Sequence, residues 1–548
     1  MKVSNRLFFS SPPGTAKEEF VEGVVCQEGD IGENEMKTFD LGGSKVLIVK
    51  QKGKISALGT KCSHYGAPLS TGALGDGRIR CPWHGACFSL ETGDIEDFPG
   101  QDSIPCYQVK IEQGQVKVRA KKSDLQENKR TKMMAKRDVK DERTFVVIGG
   151  GPSGAICVET IRQNGFTGRV VLICKETSLP YDRVKVSKAM EAPPEKIQLR
   201  SQSFYDDNHI ETMLGVEATD LNAANKEITL NNGYKIKYDK VYIATGSTPR
   251  KAPVPGADLK NVVTLRNVTD GNYVSGILTK DSHVVVLGVS FVGLEAAAYC
   301  VNKTAKVTVI GRDSVPLKPV FGEAVGARVM KFFEDQNVEF VMNSGIKACM
   351  GNAEGVLESV ELNDGTILKA DICIMGVGST LNTEFLKTSG LVLNKDGSIN
   401  TNQHLESSIN DVFIGGDIAN SPVFSNDNKP AAIGHYPLAQ YHGKIAALNM
   451  TGKAQELHVV PYFWTMVFGK SFRYCGYGKP AEVHIEGSLE EMKYVAFYMN
   501  QAGKVISVSS CQRDPIVSQF AEFLSQGRTL TKAEIQEDPF AWLQQLNK

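Results

Sequence analysis

The chain carries no excess charge of either sign: 62 Lys and Arg stand against 62 Asp and Glu. Bulk charge therefore marks it neither for nucleic acid nor for an anionic membrane surface. No apolar run approaches the ~18 residues of a membrane span. The first residues, MKVSNRLFFSSPPG, lack the apolar core of a secretory signal. Lys2, Arg6, the hydroxyl residues and the lack of acids before Glu18 give a faint likeness to a mitochondrial presequence, but the segment reads better as a short flexible tail. Closely spaced cysteine pairs are missing as well. Ten of the 12 Cys (Cys26, Cys87, Cys106, Cys157, Cys174, Cys300, Cys349, Cys373, Cys475 and Cys511) are scattered, several inside apolar patterns where a thiol acts as a small hydrophobe. That usage fits a reducing compartment, so an intracellular protein is expected, cytoplasmic or mitochondrial.

Two cysteines stand apart from the rest. Cys62-Ser63-His64 is followed, after sixteen residues, by Cys81-Pro82-Trp83-His84. Each segment offers one thiolate and one imidazole on a loop, because Gly66, Pro68, Pro82 and Gly85 oppose a helix. Two sulfurs and two nitrogens are the ligand set of a Rieske [2Fe–2S] centre, in which two His replace two Cys on one iron. A structural Cys2His2 zinc site is the rival reading. Zinc fingers usually pair Cys with Cys and His with His, whereas each loop here is mixed. Unliganded side chains are the third possibility.

At 548 residues there is room for three or four domains, and 41% hydrophobic with 23% charged residues is ordinary for a folded chain. Residues 17–119 read as short β-rich runs (KVLIVKQ, KISALGT, YQVKIEQ, QVKVRA) parted by turns. Residues 120–142, KKSDLQENKRTKMMAKRDVKDE, read as a solvated, partly helical linker. At 144 the pattern changes. The apolar strand TFVVI runs into Gly149-Gly-Gly151-Pro-Ser-Gly154, then a helix, then the strand RVVLICKE, which ends at Glu176 about twenty residues on. Such glycines let the backbone approach a pyrophosphate at a helix N-terminus. A second unit begins at His283-Val-Val-Val-Leu-Gly288-Val-Ser290-Phe-Val-Gly293-Leu-Glu295, with Ser290 in place of the middle glycine. Two nucleotide folds on one chain suggest a donor and an acceptor of hydride. Later landmarks are Val241-Tyr-Ile-Ala-Thr-Gly-Ser-Thr-Pro-Arg250, Met375-Gly-Val-Gly378 and the strand-ending Asp417.

Together these landmarks resemble the two-dinucleotide-domain flavoprotein reductases, in the apoptosis-inducing-factor-like and oxygenase-type ferredoxin reductase branch. The distinguishing run is Leu179-Pro-Tyr-Asp-Arg183-Val-Lys-Val-Ser-Lys188. With PYFWTMVFGKSFRYCGYG and DPIVS in the tail, and the iron motif ahead, the chain is similar to the Rieske-domain-containing apoptosis-inducing factor 3 type over about residues 17–535. The resemblance implies a multidomain chain: an all-β Rieske domain at 17–119, the linker at 120–142, and a FAD-binding α/β domain at 143–267 and 395–458. An interleaved NAD(P)-binding Rossmann-like domain follows at 268–394, with a small C-terminal α+β domain at 459–548.

It also implies how residues divide. The cluster falls to Cys62, His64, Cys81 and His84. FAD would lie over Gly149, Gly151 and Gly154, with Glu176 at the adenosine ribose, Ala218 nearby and Asp417 on the ribityl chain. Arg183 and Lys188 would line the flavin, Arg250 would complete the set, and His435 and Trp464 would stand near the ring. Taken alone, Trp464 reads better as ordinary core packing. NADH or NADPH would bind Gly288, Ser290, Phe291, Gly293 and Gly378. Lys188 and Glu295 are expected as an ion pair near the flavin that tunes it. Gly311 sits where several relatives carry a ribose-binding acid, leaving Arg312 for a 2′-phosphate or Asp313 for a 2′-hydroxyl; NADH is favoured slightly.

Disulfide reductases of this fold carry C-x-x-x-x-C after the first ribose strand, and 177–200 contains no Cys. Electrons are therefore expected to leave the flavin singly, to the Rieske cluster and then to an unidentified acceptor, from a monomer or homodimer. The alternative, drawn from the same resemblance, is cell-death signalling through partner binding, with redox state as a switch. Respiratory Rieske proteins brace their loops with a disulfide and hydrogen-bond the cluster from a Ser and a Tyr. The matching positions here are Ala67 with Trp83, and Ala86 with Phe88, so a low-potential, ferredoxin-type centre is expected.

Overall fold

The computed structural model describes residues 19–546, so the N-terminal tail lies outside the described residues. The N-terminal domain is all β. Its six-stranded antiparallel sheet has the order Phe20–Gln27, Gln115–Lys121, Cys106–Glu112, Lys54–Leu58, Ser44–Gln51, Glu35–Leu41. The run KVLIVK is continuously apolar because its strand is buried on both faces. Val46 and Ile48 enter one core, while Leu47 and Val49 enter the other. That second core lies under a small sheet of Ala73–Gly75, Arg78–Arg80, Cys87–Ser89 and Ile95–Asp97, and it contains Cys62, Cys81 and Ala86.

The segment expected as a solvated linker is a strap. It begins with the helix Lys122–Glu127 and then runs without regular structure. Ser103 and Arg130 exchange both backbone hydrogen bonds at 2.9 Å, Ala135 N–H donates to Arg162 O, and Asp138 N–H donates to Thr167 O. The charged side chains face water while the backbone is pinned to the domains on either side.

Two parallel sheets follow. The first has the order Ile210–Leu214, Arg169–Cys174, Thr144–Ile148, Lys240–Ile243, Val412–Ile414. The second has the order Val262–Val263, Ile372–Met375, His283–Leu287, Lys306–Ile310, Val338–Val341, so its first strand precedes residue 268. Strands buried on both faces explain the near-continuous Val and Ile runs. The C-terminal domain is a five-stranded antiparallel sheet, Tyr462–Val467, Lys470–Gly476, Val505–Cys511, Lys493–Met499, Glu482–Ser488, with the helix Ile516–Ser525 packed on it.

Candidate functional site

The two nucleotide turns share one backbone design. Gly149 has φ +125°, and a Cβ there would meet Ala244 O at 2.2 Å; its counterpart Gly288 has φ +117° and Gly376 O at 2.3 Å. A Cβ at Gly154 would stand 2.0 Å from Gly149 O, and one at Gly293 would stand 2.2 Å from Gly288 O. These four glycines close strand, turn and helix together. The middle position differs. Gly151 and Ser290 both have extended backbones, φ −82° and −81°, which any residue adopts. A Cβ at Gly151 would meet only Arg183 Nε at 4.0 Å, so this glycine keeps space open rather than satisfying strain. Neither helix has a side-chain cap, which leaves its first amides for an anion.

A cavity of 1120 Å³ opens at the first turn. Of the expected residues, Gly149, Gly151, Glu176, Arg183, Ala218, Phe291, Glu295, Asp417, His435 and Trp464 line it. Arg183 is paired with Glu176, donates to Tyr181 Oη at 3.1 Å and to Arg266 O at 3.2 Å, and its Nε would stand 4.0 Å from a Cβ built on Gly151. Asp417 accepts from Ser247 Oγ at 2.8 Å and from Arg266 Nη2 at 2.9 Å. Burial lowers His435 to about 4, and its Nδ1 has no partner among the described residues. Open turn, uncapped helix and unpartnered imidazole fit a dinucleotide such as FAD.

Lys188 lies behind this wall as the ion-pair partner of Glu295, and Thr465 Oγ1 bonds to both. Ser187 also donates to Glu295. Arg250 and Gly378 are outside the cavity and beside each other: Arg250 N–H donates to Gly378 O at 2.9 Å, and the Arg250 guanidinium stands 2.9 Å from where a Gly378 Cβ would be. Phe291 packs on Phe463, with ring centroids 4.2 Å apart, where the second nucleotide fold meets the C-terminal domain. Arg312 and Asp313 are both exposed, while Gly311 is buried with Val289 Cγ1 2.6 Å from a built Cβ, so no acid fits there.

The four predicted metal ligands come together in two pairs. Cys62 and Cys81, both buried, are hydrogen-bonded through their thiols. His64 Nδ1 lies 3.2 Å from His84 Nδ1. Burial, reinforced by nearby cations, lowers His64 to about 3 and His84 to about 2, so both imidazoles are neutral. The loops are built alike: Cys62 N–H donates to Ala67 O and Cys81 N–H to Ala86 O, with Gly66 at φ +78° and Gly85 at φ +81° closing each turn. No three His, Cys, Asp or Glu among the described residues converge on one point for a single ion. That geometry suits a dinuclear centre with sulfurs on one iron and imidazoles on the other, and it does not suit tetrahedral zinc.

The two sites meet. On the strand Tyr462–Val467, Phe463 and Thr465 face the cavity side, contacting Phe291, His435 and Glu295. Trp464 lines the cavity and also touches the cluster site: its ring is 4.5 Å from His84 and 6.0 Å from His64, centroid to centroid. Tyr65 stacks on His64 at 3.8 Å, donates to Asp182 at 2.6 Å, and lies 4.6 Å beneath Lys185 Nζ. The Leu179–Lys188 run therefore serves both sites. Sequence reasoning missed that second role, and also missed Arg473, which donates to Trp83 O at 2.8 Å. Buried polar residues in otherwise apolar elements were the available signal.

Fold and site together define a flavoprotein reductase with an iron–sulfur domain. Residues 22–108 match the Rieske [2Fe-2S] domain, and residues 143–443 match the pyridine nucleotide-disulphide oxidoreductases. The chain belongs to this pyridine nucleotide-disulphide oxidoreductase family, as a member with a Rieske domain. Over 530 residues it is 41% identical to Apoptosis-inducing factor 3 of Mus musculus, covering 96% of this chain and 87% of the relative. The ferredoxin--NAD(+) reductase subunit of the benzene 1,2-dioxygenase system of Pseudomonas putida is 30% identical over 349 residues, 63% of this chain and 83% of that one. In fold, the chain is similar to a protein of the covalent putidaredoxin reductase–putidaredoxin complex, with TM-score 0.70 and 23% identity over 74% of this chain and 98% of that one. The protein is an FAD-dependent NAD(P)H oxidoreductase with a Rieske [2Fe–2S] centre. No helix among the described residues is long and apolar enough to cross a membrane.

Proposed function

We propose that the chain is a self-contained electron-transfer unit. NADH reduces the flavin site, electrons pass to the chain's own Rieske centre, and an outside acceptor takes them from there. The observation that carries this reading is Trp464, one ring that lines the nucleotide cavity and lies 4.5 Å from His84. When bound, FAD accepts a hydride and releases electrons singly, and the [2Fe–2S] cluster carries one at a time.

The chain's residues hold and separate these groups. Gly149, Gly151 and the first amides of helix Pro152–Gln163 receive the FAD pyrophosphate with Arg183 above them, and Glu176 takes the adenosine ribose. Gly154 seats the helix, while Ala218, Asp417 and His435 line the rest. Lys188 and Glu295 neutralise each other beside the flavin site and position it, rather than move protons. Gly288, Ser290, Phe291 and Gly293 take the nicotinamide dinucleotide, with Gly378 and Arg250 at its far side. Asp313, exposed at the second strand's end, meets the ribose 2′-hydroxyl and favours NADH.

The putidaredoxin reductase structure named above is a complex with putidaredoxin; here the corresponding carrier is the N-terminal domain of the same chain. Stopped-flow mixing with excess NADH without oxygen tests the reading. Flavin and cluster absorbance should both bleach, and the product should show the EPR signal of a reduced Rieske centre. A cluster that stays oxidised while FAD bleaches would refute it. A second reading, cell-death signalling, rests on the name of the mouse relative. Cys62→Ser separates the two, because a cellular effect retained without the cluster favours signalling.

A further inference from the structure

The helix Ile516–Ser525 is buried in the C-terminal core through Ile516, Val517, Phe520, Ala521, Phe523 and Leu524. It also buries Ser518 and Glu522 completely, each with 0% exposure. Ser518, Glu522 and Ser525 follow at spacings of four and three, so they share one helix face. All three bond to the Rieske domain. Ser518 Oγ donates to the carbonyl of the ligand Cys81 at 2.9 Å. Glu522 accepts from Arg80 Nε at 2.6 Å and from Arg78 Nε at 2.9 Å, and Arg78 Nη2 reaches Ser525 Oγ at 2.8 Å.

Arg80 immediately precedes Cys81. It donates to Gly85 O inside the same cluster loop at 2.8 Å and also pairs with the buried Asp97. One carboxylate of the reductase thus holds the arginine that shapes the second cluster loop. Space is made for it: a Cβ on Gly75 would stand 2.1 Å from Glu522 Oε2. The backbone of Gly75 is not left-handed, so the carboxylate, not φ, excludes a side chain there.

We propose that Ser518, Glu522 and Ser525 form a latch that seats the Rieske domain on the reductase, and that Glu522 is a positioning residue for electron transfer into the cluster. The consequence for electron transfer rests on the internal path proposed above. The step served is a one-electron transfer in which no bond forms or breaks. The oxidised cluster gains one electron from the flavin reduced by NADH, and the second electron follows once the outside acceptor has reoxidised the cluster. The neutral Glu522→Gln leaves the buried Arg80 with Asp97 as its remaining carboxylate and the half-buried Arg78 with the more distant Glu96, and Gly75→Ala displaces the carboxylate without removing its charge.

Both variants are made in the full-length holoprotein. Amide hydrogen exchange at 81–86 should quicken about tenfold or more in each, with exchange at 283–310 unchanged. In stopped flow, the flavin phase should stay within about twofold of wild type, and the cluster phase should slow about tenfold or more, with Glu522→Asp recovering part of the rate. Unchanged exchange at 81–86 in both variants overturns the latch, as does a cluster phase that slows no more than the flavin phase. If Glu522→Gln does not fold, Gly75→Ala decides by the same two readouts. Faster exchange in a protein whose wild-type cluster NADH never reduces upholds the latch and refutes the internal path instead.

Discussion

Around the metal site, single side chains decide the properties of the centre. Ala86 and Phe88 are fully buried against the second loop, and neither has a hydroxyl to offer the cluster. Hydrogen bonds to the sulfurs stabilise the reduced, more negative state. Without them the midpoint potential is expected below about +200 mV, within a class range of about −150 to +300 mV. Potentiometric titration followed by EPR measures it, and a wild-type value above that level contradicts the reading. Ala86→Ser combined with Phe88→Tyr should move the midpoint upward. The motif residues were legible as ligands because thiolate and imidazole at C-x-H and C-x-x-H spacing have few other uses. The choice of iron over zinc was legible too, because each loop mixes one Cys with one His, whereas zinc fingers pair like with like.

Among the elements, the strand–turn–helix units repeat one backbone with one difference. Gly149, Gly154, Gly288 and Gly293 are required by close carbonyls, whereas Gly151 and Ser290 have ordinary extended φ and differ only in the space they leave. Gly151→Ala should therefore fold normally and retain less FAD, read as flavin per protein after gel filtration. Ser290 is exposed and caps nothing, so its hydroxyl is free for a phosphate. Ser290→Ala should raise the KM for NADH about tenfold, as expected for one hydrogen bond to a charged group, with flavin content unchanged. The strand Tyr462–Val467 works through its alternation: Trp464 meets His84, while Phe463 and Thr465 turn to the flavin side.

Taken whole, the molecule is a reductase with its own carrier held in place. Ion pairs join the domains, Glu522 with the buried Arg80 and the half-buried Arg78 at one contact and the half-buried Arg200 with Asp102 at another, where Glu159 of its own domain also holds Arg200. Lys444 adds a bond to Glu96 O at 2.8 Å, and Gln440 one to Gly100 O at 3.2 Å. Removing one partner of the buried Glu522–Arg80 pair is expected to cost about 3–5 kcal/mol, because the charge left behind stays buried, whatever the net worth of the intact pair. If the carriers act as one unit, an anaerobic titration should consume about 1.5 NADH per chain, two electrons for FAD and one for the cluster. An end point near one NADH would mean the cluster is not reached.

By itself the amino-acid sequence determined the cofactor chemistry and the order of the domains. Metal ligands, glycine turns and strand periods are short-range patterns, and local stereochemistry makes them mean the same thing in any chain. Tertiary structure alone decided how the parts face each other. Trp464 alone read better as core, and Glu522 gave no hint of reaching a residue more than four hundred positions away. Residues 120–142 looked like a free linker, since nothing in a charged run says its backbone is pinned on both sides. Contacts between distant segments depend on which surfaces pack together, and that is settled by the burial of the whole chain rather than by any stretch of it.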